Sequence, residues 1–464
     1  MGLRFAESLY GLIAQLAKPG PTSRRPRVTD LSSSGRSPAP MTAVQKMLAR
    51  ASGLAHVEPG EVVYPVPELV IIHDGFVETA YRELHALGYG SVIDPQKVVF
   101  VTDHEVAYGS QRAVERGRNI RAIAKAWNVG ALYDAGRGGH GHIFPIEAGL
   151  IRPGMFLFCY DMHCTNFGAA GALAMAAGTE VTSVLATGSL WTTVPHTLRI
   201  DLQGALAGGA HPRDVGFLLA QGFADGRWGV QYDYRVVEFG GPGLLSLDLA
   251  ARVALCNSIT EMGVANVLFD GDPPGIDVRG APDFKSDANA PYEARISFDL
   301  SAVRPQVALP GGPDRAELLS RVAGQPIDHA TIGACGSGMY EDFAAAARVL
   351  KGRRIADHVR MFVVPGTATT ASRLADDGLA QIFVDAGAML LPPGCGPCAG
   401  GMMAPLGPGE VSVATAATNH AGRFGAHDGE IYLASPVTVA ASAVAGCLAD
   451  PRELEPLVAS GASQ

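Results

Sequence analysis

The chain has 464 residues, enough for about three domains of ordinary size, and 47 % of them are hydrophobic. Its 36 Lys and Arg against 45 Asp and Glu leave a net charge of −9, which disfavours a general nucleic-acid-binding protein. No apolar run reaches the ~18 residues of a membrane span, and 7 Cys in so long a chain fit reduced thiols or a metal site in the cytoplasm better than a disulfide scaffold.

Residues 1–40 differ in composition from the rest of the chain. Residues 3–16 have the spacing of an amphipathic helix, but residues 19–40 are rich in Ser, Pro and Arg, a composition that cannot bury a core. We expect a disordered or dispensable tail. The alternatives are a processed leader and an upstream start codon before a true start at Met41.

From residue 41 onward, apolar runs alternate with helical stretches. We predict strands at 98–101, 155–160, 181–186, 361–364 and 389–391, and helices at 76–87, 113–126, 169–177, 249–262, 342–350 and 437–448. This alternation is typical of parallel sheets in three-layer α/β sandwiches. Stretches rich in Pro, Gly and Asp at 270–290 and 306–314 indicate loops, and we place the main domain boundary near residues 285–300.

Two cysteines lie in a short glycine-rich segment, Pro393-Gly394-Cys395-Gly396-Pro397-Cys398. Thiols at this spacing can ligate one metal or cluster, although a thioredoxin-like redox pair or two zinc ligands would use the same spacing. Cys335 is also flanked by glycines, at a predicted strand-to-helix turn. Three thiolates from two loops suit an iron–sulfur cluster with one iron left open as a Lewis acid, and the alternative is an ordinary buried thiol at Cys335.

A second set of candidate residues combines histidines with carboxylates. Asp103 and His104 follow one predicted strand, Asp161 and His163 follow another, His142 lies in a glycine-rich segment, and Asn257 and Glu261 share a helix face. Ligand sites in parallel sheets lie at the carboxyl ends of strands. A carboxylate beside a histidine orients the ring for proton transfer. A structural histidine is the alternative for any single pair, but several pairs at equivalent positions favour a catalytic site.

The chain resembles the aconitase superfamily, and most closely the large subunits of 3-isopropylmalate dehydratase (isopropylmalate isomerase), from about residue 41 to residue 446. The motifs that carry the resemblance are Ile72-His73-Asp74, Val99-Phe100-Val101-Thr102-Asp103-His104, Tyr133-Asp134-Ala135-Gly136-Arg137-Gly138-Gly139, Ala186-Thr187-Gly188-Ser189-Leu190-Trp191, Val237-Glu238-Phe239-Gly240-Gly241-Pro242-Gly243 and Tyr432-Leu433-Ala434-Ser435-Pro436. The resemblance implies three α/β/α domains around a [4Fe-4S] cluster, without the fourth, swivelling domain of the superfamily. Domains 1 and 2 would occupy residues 41–290, and domain 3 residues 291–464.

The resemblance also implies roles for individual residues of a hydro-lyase. The cluster ligands would be Cys335, Cys395 and Cys398; the catalytic pairs would be Asp103 with His104, His142 with Asp161, and His163 with Glu261; and the substrate-binding positions would be His73, Asn257, Arg423, Met162 and Thr418. In the superfamily's reaction the substrate hydroxyl binds the open iron. A base removes the proton next to a carboxylate, and a histidine–carboxylate pair protonates the departing hydroxyl.

Two of these positions depart from the family pattern. Met162 replaces a serine, and Thr418 replaces an arginine, or His420 does if a short deletion shifts the alignment. Arginine holds a carboxylate through two parallel hydrogen bonds, which neither Thr nor His can make. We therefore expect a hydroxy-acid substrate related to isopropylmalate but altered. The alternatives are a genuine 3-isopropylmalate dehydratase of leucine biosynthesis and a catalytically silent iron–sulfur protein.

The resemblance finally implies partners. The superfamily uses a fourth domain that supplies a serine base and a further arginine, and no segment of that kind follows domain 3. We expect a separate small subunit, a small-molecule substrate, a cytoplasmic location, and neither nucleic-acid nor membrane partners.

Overall fold

The computed structural model describes residues 39–454, so the predicted tail lies outside the described residues except for residues 39 and 40. The strands are β1 (Val62–Val63), β2 (Leu69–His73), β3 (Val98–Val101), β4 (Ala131–Tyr133), β5 (Phe156–Cys159), β6 (Leu173–Ala176), β7 (Thr192–Thr193), β8 (Thr197–Gln203), β9 (Val236–Gly240), β10 (Asn266–Phe269), β11 (Ala294–Asp299), β12 (Gln306–Ala308), β13 (Ala316–Leu318), β14 (His329–Gly333), β15 (Arg360–Val364), β16 (Met389–Leu390), β17 (Val411–Ala414) and β18 (Glu430–Leu433). The helices are α1 (Ala43–Ala51), α2 (Asp74–Ala86), α3 (Gln111–Trp127), α4 (Phe144–Glu147), α5 (Val181–Thr187), α6 (Pro212–Ala224), α7 (Leu249–Thr260), α8 (Leu319–Val322), α9 (Tyr340–Leu350), α10 (Ala368–Asp376), α11 (Leu379–Ala386) and α12 (Pro436–Ala445). Across residues 39–454, none of these helices combines the length and apolar character needed to cross a bilayer.

The first two sheets are parallel and share one core. Five strands form the first sheet in the order β4-β3-β2-β5-β6, and four form the second in the order β10-β9-β8-β11. Both β3 and β5 are buried along their whole length, as expected for strands covered on both faces. Leu157 of β5, Ile200 of β8 and Phe167 between the sheets belong to one apolar cluster. The two sheets therefore pack as one unit, the first body of the molecule, and the third sheet's domain is the second body.

The third sheet has its own core and a mixed topology. Its order is β13-β12-β18-β17-β14-β15-β16. The strands from β18 to β16 are parallel, whereas β12 is antiparallel to both of its neighbours. Ile332 of β14, Phe343 of α9 and Val439 of α12 are fully buried in this core. Sheets and helices thus form the α/β architecture that the sequence predicts.

Two predicted elements are wrong. Residues 181–186 form helix α5 rather than a strand, and Gly188 ends that helix in the left-handed conformation. Residues 169–177, predicted as a helix, contain the end of the 3₁₀ segment Met162–Ala170 and then strand β6. Short buried apolar runs carry no period that separates a strand from a helix, so the packing of neighbouring elements decides between them.

The predicted domain boundary is also placed too early. After the long loop at 270–290 the chain returns to the second sheet, where β11 pairs in parallel with β8. The third sheet begins only at Gln306. The loop composition marks a real break in regular structure, but the strand that follows it still belongs to the preceding sheet.

The carboxyl ends of the parallel strands carry most of the candidate site residues. β2 ends at His73, β3 precedes Asp103, β5 precedes Asp161, and β14 precedes Cys335. The ends of the first and third sheets are joined by backbone hydrogen bonds: the Cys395 N–H donates to the Asp103 carbonyl at 2.8 Å, and the His140 N–H donates to the Gly366 carbonyl at 2.7 Å. These contacts bring residues from both sheets into one site.

Candidate active site

Three buried thiols lie on two turns of the third sheet's domain. Cys335, Cys395 and Cys398 are 2 %, 7 % and 5 % exposed. The turn of Cys335 begins at Ala334, whose φ of 57° is unusual for a residue other than glycine and marks a constrained turn. The Asn166 amide N–H donates to the Cys335 carbonyl at 3.0 Å. Both cysteine turns are thus held by residues of the first body.

The surroundings of the thiols fit an iron–sulfur cluster. The Arg423 guanidinium lies 3.6 Å from the Cys398 sulfur, and this thiol raises the pKa of Arg423. Buried polar atoms without a partner remain on Arg423, Asn257 and Arg213. Free thiols, a neighbouring cation and the unpaired N–H groups of Arg423 and Arg213 together suit a group of negative charge with several acceptor atoms.

The first histidine–carboxylate group has Asp103 at its centre. His73 Nδ1 lies 3.0 Å from Asp103 Oδ2, and His104 Nδ1 lies 3.0 Å from Asp103 Oδ1. The backbone N–H of Gly141 donates to Asp103 Oδ2 at 2.8 Å. Burial opposes ionisation of Asp103, but the charges of His73 and His104 hold the pKa of Asp103 well below its usual value. Asp103 is therefore a carboxylate that accepts from the Gly141 N–H and lies between two histidine rings.

His104 is the member of this group that reaches furthest into open space. Its side chain is 29 % exposed, against 1 % for His73, and its Nδ1 also lies 2.6 Å from Asp74 Oδ1. Burial works against the charged ring, but the neighbouring Cys395 and Asp103 hold the pKa of His104 well above its usual value. The ring is thus a protonated donor beside a thiol and is oriented by two carboxylates.

The second group has His163 at its centre. Its Nδ1 lies 2.7 Å from Asp161 Oδ1, and its Nε2 lies 3.0 Å from Glu261 Oε1. Although burial favours the neutral ring, Asp161 and Glu261 raise the pKa of His163 to about 10. His142 Nε2 lies 3.6 Å from Asp161 Oδ1, and burial together with the charge of His73 lowers the pKa of His142. The site therefore contains one histidine kept charged next to one kept neutral.

The predicted pairs come together, with additional partners. His104 has Asp103 as expected and also Asp74, while His163 contacts Asp161 as well as the expected Glu261. Asp74 ends the motif Ile72-His73-Asp74 and directly follows strand β2. Its position could therefore have indicated a site residue from the sequence.

Three further residues of the site were missed by the sequence reasoning. Cys159 Sγ lies 3.8 Å from His73 Nε2, and His140 Nε2 lies 3.2 Å from Cys395 Sγ. Arg213 is fully buried below the Cys335 turn. His140 directly follows the family motif at residues 133–139, and Cys159 lies in the strand predicted at residues 155–160. Nothing in the sequence around Arg213 distinguishes it from a surface arginine.

The substrate-binding candidates occupy different environments. Asn257 is fully buried and its amide N–H donates to Asn166 Oδ1 at 3.5 Å, while Met162 is half-buried at the start of its 3₁₀ segment. Thr418 is 3 % exposed and its hydroxyl has no hydrogen-bond partner. Met162 therefore places a thioether, and Thr418 a short buried hydroxyl, at these two positions, and neither group can hold a carboxylate through two charged hydrogen bonds.

Comparisons with known proteins agree with the predicted family. The pattern of the aconitase family (aconitate hydratase) matches residues 46–275 and 316–446. The chain is 36 % identical over 420 residues to 3-isopropylmalate dehydratase large subunit 1 of Methanopyrus kandleri, which covers 89 % of this chain and 99 % of that protein. It is 35 % identical to the probable methanogen homoaconitase large subunit of Methanothermobacter thermautotrophicus, over 89 % and 98 % of the two chains.

Among solved structures, the crystal structure of Thermococcus kodakaraensis aconitase X in its holo-form aligns with a TM-score of 0.47 and 14 % identity, over 81 % of this chain and 89 % of that one. The 3-isopropylmalate dehydratase large subunit of Moorella thermoacetica is 35 % identical over 422 residues, covering 89 % of this chain and 99 % of that protein. With the family pattern matched over most of its length, the chain belongs to the aconitase family of hydro-lyases.

Proposed function

We propose that the chain is the large, catalytic subunit of a [4Fe-4S]-dependent hydro-lyase that dehydrates or isomerises a hydroxy acid related to isopropylmalate. The observation that supports the proposal is that the three cysteine thiols and a histidine–carboxylate group lie in one site. Three buried thiols lie on two turns, and one of them, Cys395, neighbours the protonated His104. A group that binds a leaving oxygen and a group that protonates it need this proximity.

Cys335, Cys395 and Cys398 would hold the cluster. When bound, the cluster supplies an iron with an open position, a Lewis acid for a hydroxyl oxygen. His104 donates its proton to the departing oxygen, because its Nδ1 is taken by Asp74 and Asp103 while its ring reaches the open part of the site. Asp74 and Asp103 keep the ring in one orientation and stabilise its charge.

His163 and His142 have different roles in binding the substrate. His163 stays charged between Asp161 and Glu261, so it provides a fixed positive site for a substrate carboxylate or hydroxyl. His142 stays neutral and buried beside it, so it accepts a hydrogen bond without adding a second charge. Arg423, next to Cys398, offers the bidentate guanidinium for one substrate carboxylate.

Thr418 and Met162 depart from the family pattern, so the substrate is expected to differ from isopropylmalate. The short, buried hydroxyl of Thr418 cannot replace the two charged hydrogen bonds of an arginine, and the Met162 thioether cannot replace the hydroxyl of a serine. We therefore propose a substrate that has one carboxylate fewer than isopropylmalate, or another group in place of one. The reaction class is unchanged, because the histidine–carboxylate groups that move the proton keep all of their members.

A small subunit completes the site. The relatives of known name are called large subunits, and the chain covers 98–100 % of their length. We propose that a separate chain brings the base that removes the proton next to the carboxylate.

The test is a panel of hydroxy acids with one and two carboxylates, followed as alkene absorbance in the ultraviolet. Anaerobically purified chain with its small subunit should dehydrate an acid with one carboxylate better than isopropylmalate. The Cys395→Ser variant should lose both the cluster absorbance and turnover. Full turnover by this variant contradicts the proposed cofactor, and an intact cluster without turnover on the whole panel favours a catalytically silent protein.

The second candidate is 3-isopropylmalate dehydratase itself, which the 36 % identity to the Methanopyrus kandleri subunit favours. It predicts that isopropylmalate is the best substrate of the panel. The double variant Met162→Ser, Thr418→Arg separates the two candidates: under the altered-substrate proposal it gains activity on isopropylmalate, and under the second candidate it gains none.

A further inference from the structure

Arg213 is a cation buried between the two bodies of the molecule. It lies on α6, beside the second sheet, and is 0 % exposed. Its Nε donates to the Ala434 carbonyl at 3.1 Å and its Nη2 to the Ala416 carbonyl at 2.6 Å. Both acceptors belong to the third sheet's domain, so the guanidinium crosses from one body into the other.

No carboxylate neutralises this charge at close range. Within residues 39–454, no ion pair of 4.0 Å or less involves Arg213, and its Nη1 has no hydrogen-bond partner. A buried arginine is normally paired, since taking an unpaired charge out of water costs several kcal/mol. Burial accordingly lowers the pKa of Arg213 to about 10, with the Cys335 thiol the first of the groups that oppose this shift.

The unpaired nitrogen lies beside the Cys335 turn. A side-chain carbon built on Gly336 would come 2.2 Å from Arg213 Nη1 and 2.7 Å from Asn257 Oδ1, another buried atom without a partner. The absence of a side chain at Gly336 therefore leaves the free N–H of Arg213 next to the backbone that carries the first predicted cluster ligand. The negative charge that this cation lacks would arise at the thiolates.

We propose that Arg213 is the buried counter-charge of the cluster thiolates, a positioning residue that holds the Cys335 turn and raises the reduction potential of the bound cluster. The inference rests on the proposed function, because the thiolate charge appears only when the cysteines ligate metal. A cation close to a cluster favours its more negative, reduced state. In the cluster-free chain the same cation lowers the stability of the fold, because no negative charge compensates it.

A purely structural role makes different predictions. If Arg213 served only to join α6 to the two carbonyl oxygens, its loss would destabilise the loaded and the cluster-free chain by the same amount. It would also leave the potential unchanged. The counter-charge role predicts that the loss weakens the loaded form selectively and lowers the potential.

The experiment compares Arg213→Met, which keeps length and removes charge, with Arg213→Lys, which keeps charge. Arg252→Met is the matched control, because Arg252 is also buried, donates to the Asp272 carbonyl and lies over an aromatic ring, but on α7 away from the cysteine turns. Each protein is prepared with its small subunit. Iron and sulfide content, the potential from an anaerobic redox titration, and Tm with and without cluster are measured.

We expect Arg213→Met to lower the potential, to lose cluster faster to a chelator, and to gain less in Tm on loading than the parent. Arg213→Lys should lie closer to the parent in potential, and Arg252→Met should leave the potential unchanged. An unchanged potential and an equal loss of Tm in both forms of Arg213→Met overturn the inference. A parent that binds no cluster overturns the proposed cofactor as well, so the two failures are distinguishable. If Arg213→Met does not fold, Arg213→Gln, which also removes the charge, is measured in its place: a lowered potential supports the inference, and a potential no further from the parent's than that of the Arg252→Met control contradicts it.

Discussion

At the scale of single residues, the site separates histidines by the partners of their two ring nitrogens. His104 has one nitrogen fixed by Asp74 and Asp103 and a ring that is 29 % exposed, whereas His163 has both nitrogens held by carboxylates and is 8 % exposed. A ring with one nitrogen not held by a carboxylate can pass a proton on, and a ring with a carboxylate on both nitrogens serves as a fixed charge. The environment thus assigns different roles to residues of one type.

We predict that His104→Gln lowers kcat by about 10²–10⁴-fold, the usual contribution of a positioned acid. The glutamine keeps a hydrogen-bonding group but cannot carry the proton. Turnover on the best substrate of the panel measures the effect, and iron content confirms that the cluster is present. The control His196→Gln changes a half-exposed ring at the surface and should leave kcat unchanged. A His104→Gln enzyme with the parent's kcat would assign the acid to another residue.

The raised pKa of His163 predicts a pH dependence of stability. The folded value is about 10, above the model-peptide value of about 6.5, so the folded chain holds the proton more tightly than the unfolded chain. This contribution is fully present below pH 6.5 and is lost as the pH rises towards 10. Tm of the cluster-free parent should therefore fall more steeply between pH 7 and pH 9.5 than that of His163→Gln. Parallel curves for the two proteins would contradict the charged state of His163.

At the scale of elements, α10 has an N-cap that also joins the two bodies. The Thr370 N–H donates to the Thr367 hydroxyl at 2.9 Å, and this hydroxyl donates to Glu147 of α4. The Ala368 N–H donates to the Gly138 carbonyl at 2.8 Å. Thr367 therefore caps the N-terminus of a helix in the third sheet's domain and also contacts the segment that carries His140 and His142.

We predict that Thr367→Ala costs about 1–2 kcal/mol of unfolding free energy, the upper part of the range for an N-cap. Thr367 is 0 % exposed, so no water replaces the lost hydroxyl. Ser110→Ala removes the same kind of cap from α3, but at an exposed site, and should cost about 0.5 kcal/mol. Denaturant unfolding of both variants measures the difference, and Thr367→Ser should recover most of it. Equal costs for Thr367→Ala and Ser110→Ala would show that the cap carries no contact between the bodies.

Elements with a clear period or a clear end signal were predictable, and buried short runs were not. The spacing of apolar residues indicates α3, and both α3 and α7 begin at a Ser or Asp cap. Helix α5 has only seven residues, five of them buried, so its sequence reads equally as a strand. Strand β6 follows directly on a 3₁₀ segment, and its run of small apolar residues resembles a helix.

The residues of the site also divide into those that the sequence predicts and those that it does not. Asp103, Asp161 and Cys335 follow predicted strands, and parallel topology alone indicates that such residues meet. Arg213 lies on α6 of the first body and reaches carbonyl oxygens of the third sheet's domain, more than two hundred residues away in sequence. No local pattern indicates that contact, because it depends on how the two bodies pack. Sequence therefore predicts ligands and acids at strand ends but not the buried charge behind them.

At the scale of the whole molecule, the third sheet's domain supplies the thiols, while the first body supplies the histidines and most carboxylates. The Cys395–Asp103 and His140–Gly366 backbone hydrogen bonds fix these two sets relative to one another. The proposed mechanism takes the base that removes the substrate proton from a partner chain, since among residues 39–454 His104 and His163 are kept protonated and His142 is buried. A partner chain that closes over the open face would bring it.

We therefore predict that the loaded chain alone binds its cluster normally but turns over less than about one hundredth as fast as the complex, the loss expected for a missing base. Adding the separately purified small subunit should restore turnover with saturation near one partner per chain. Cluster absorbance should not change on addition, because all three thiols belong to this chain. The His104→Gln chain is the matched control: it should bind the small subunit equally well and remain slow. Full turnover by the chain without a partner would place the base among its own residues, and a cluster that forms only in the complex would place a ligand on the partner.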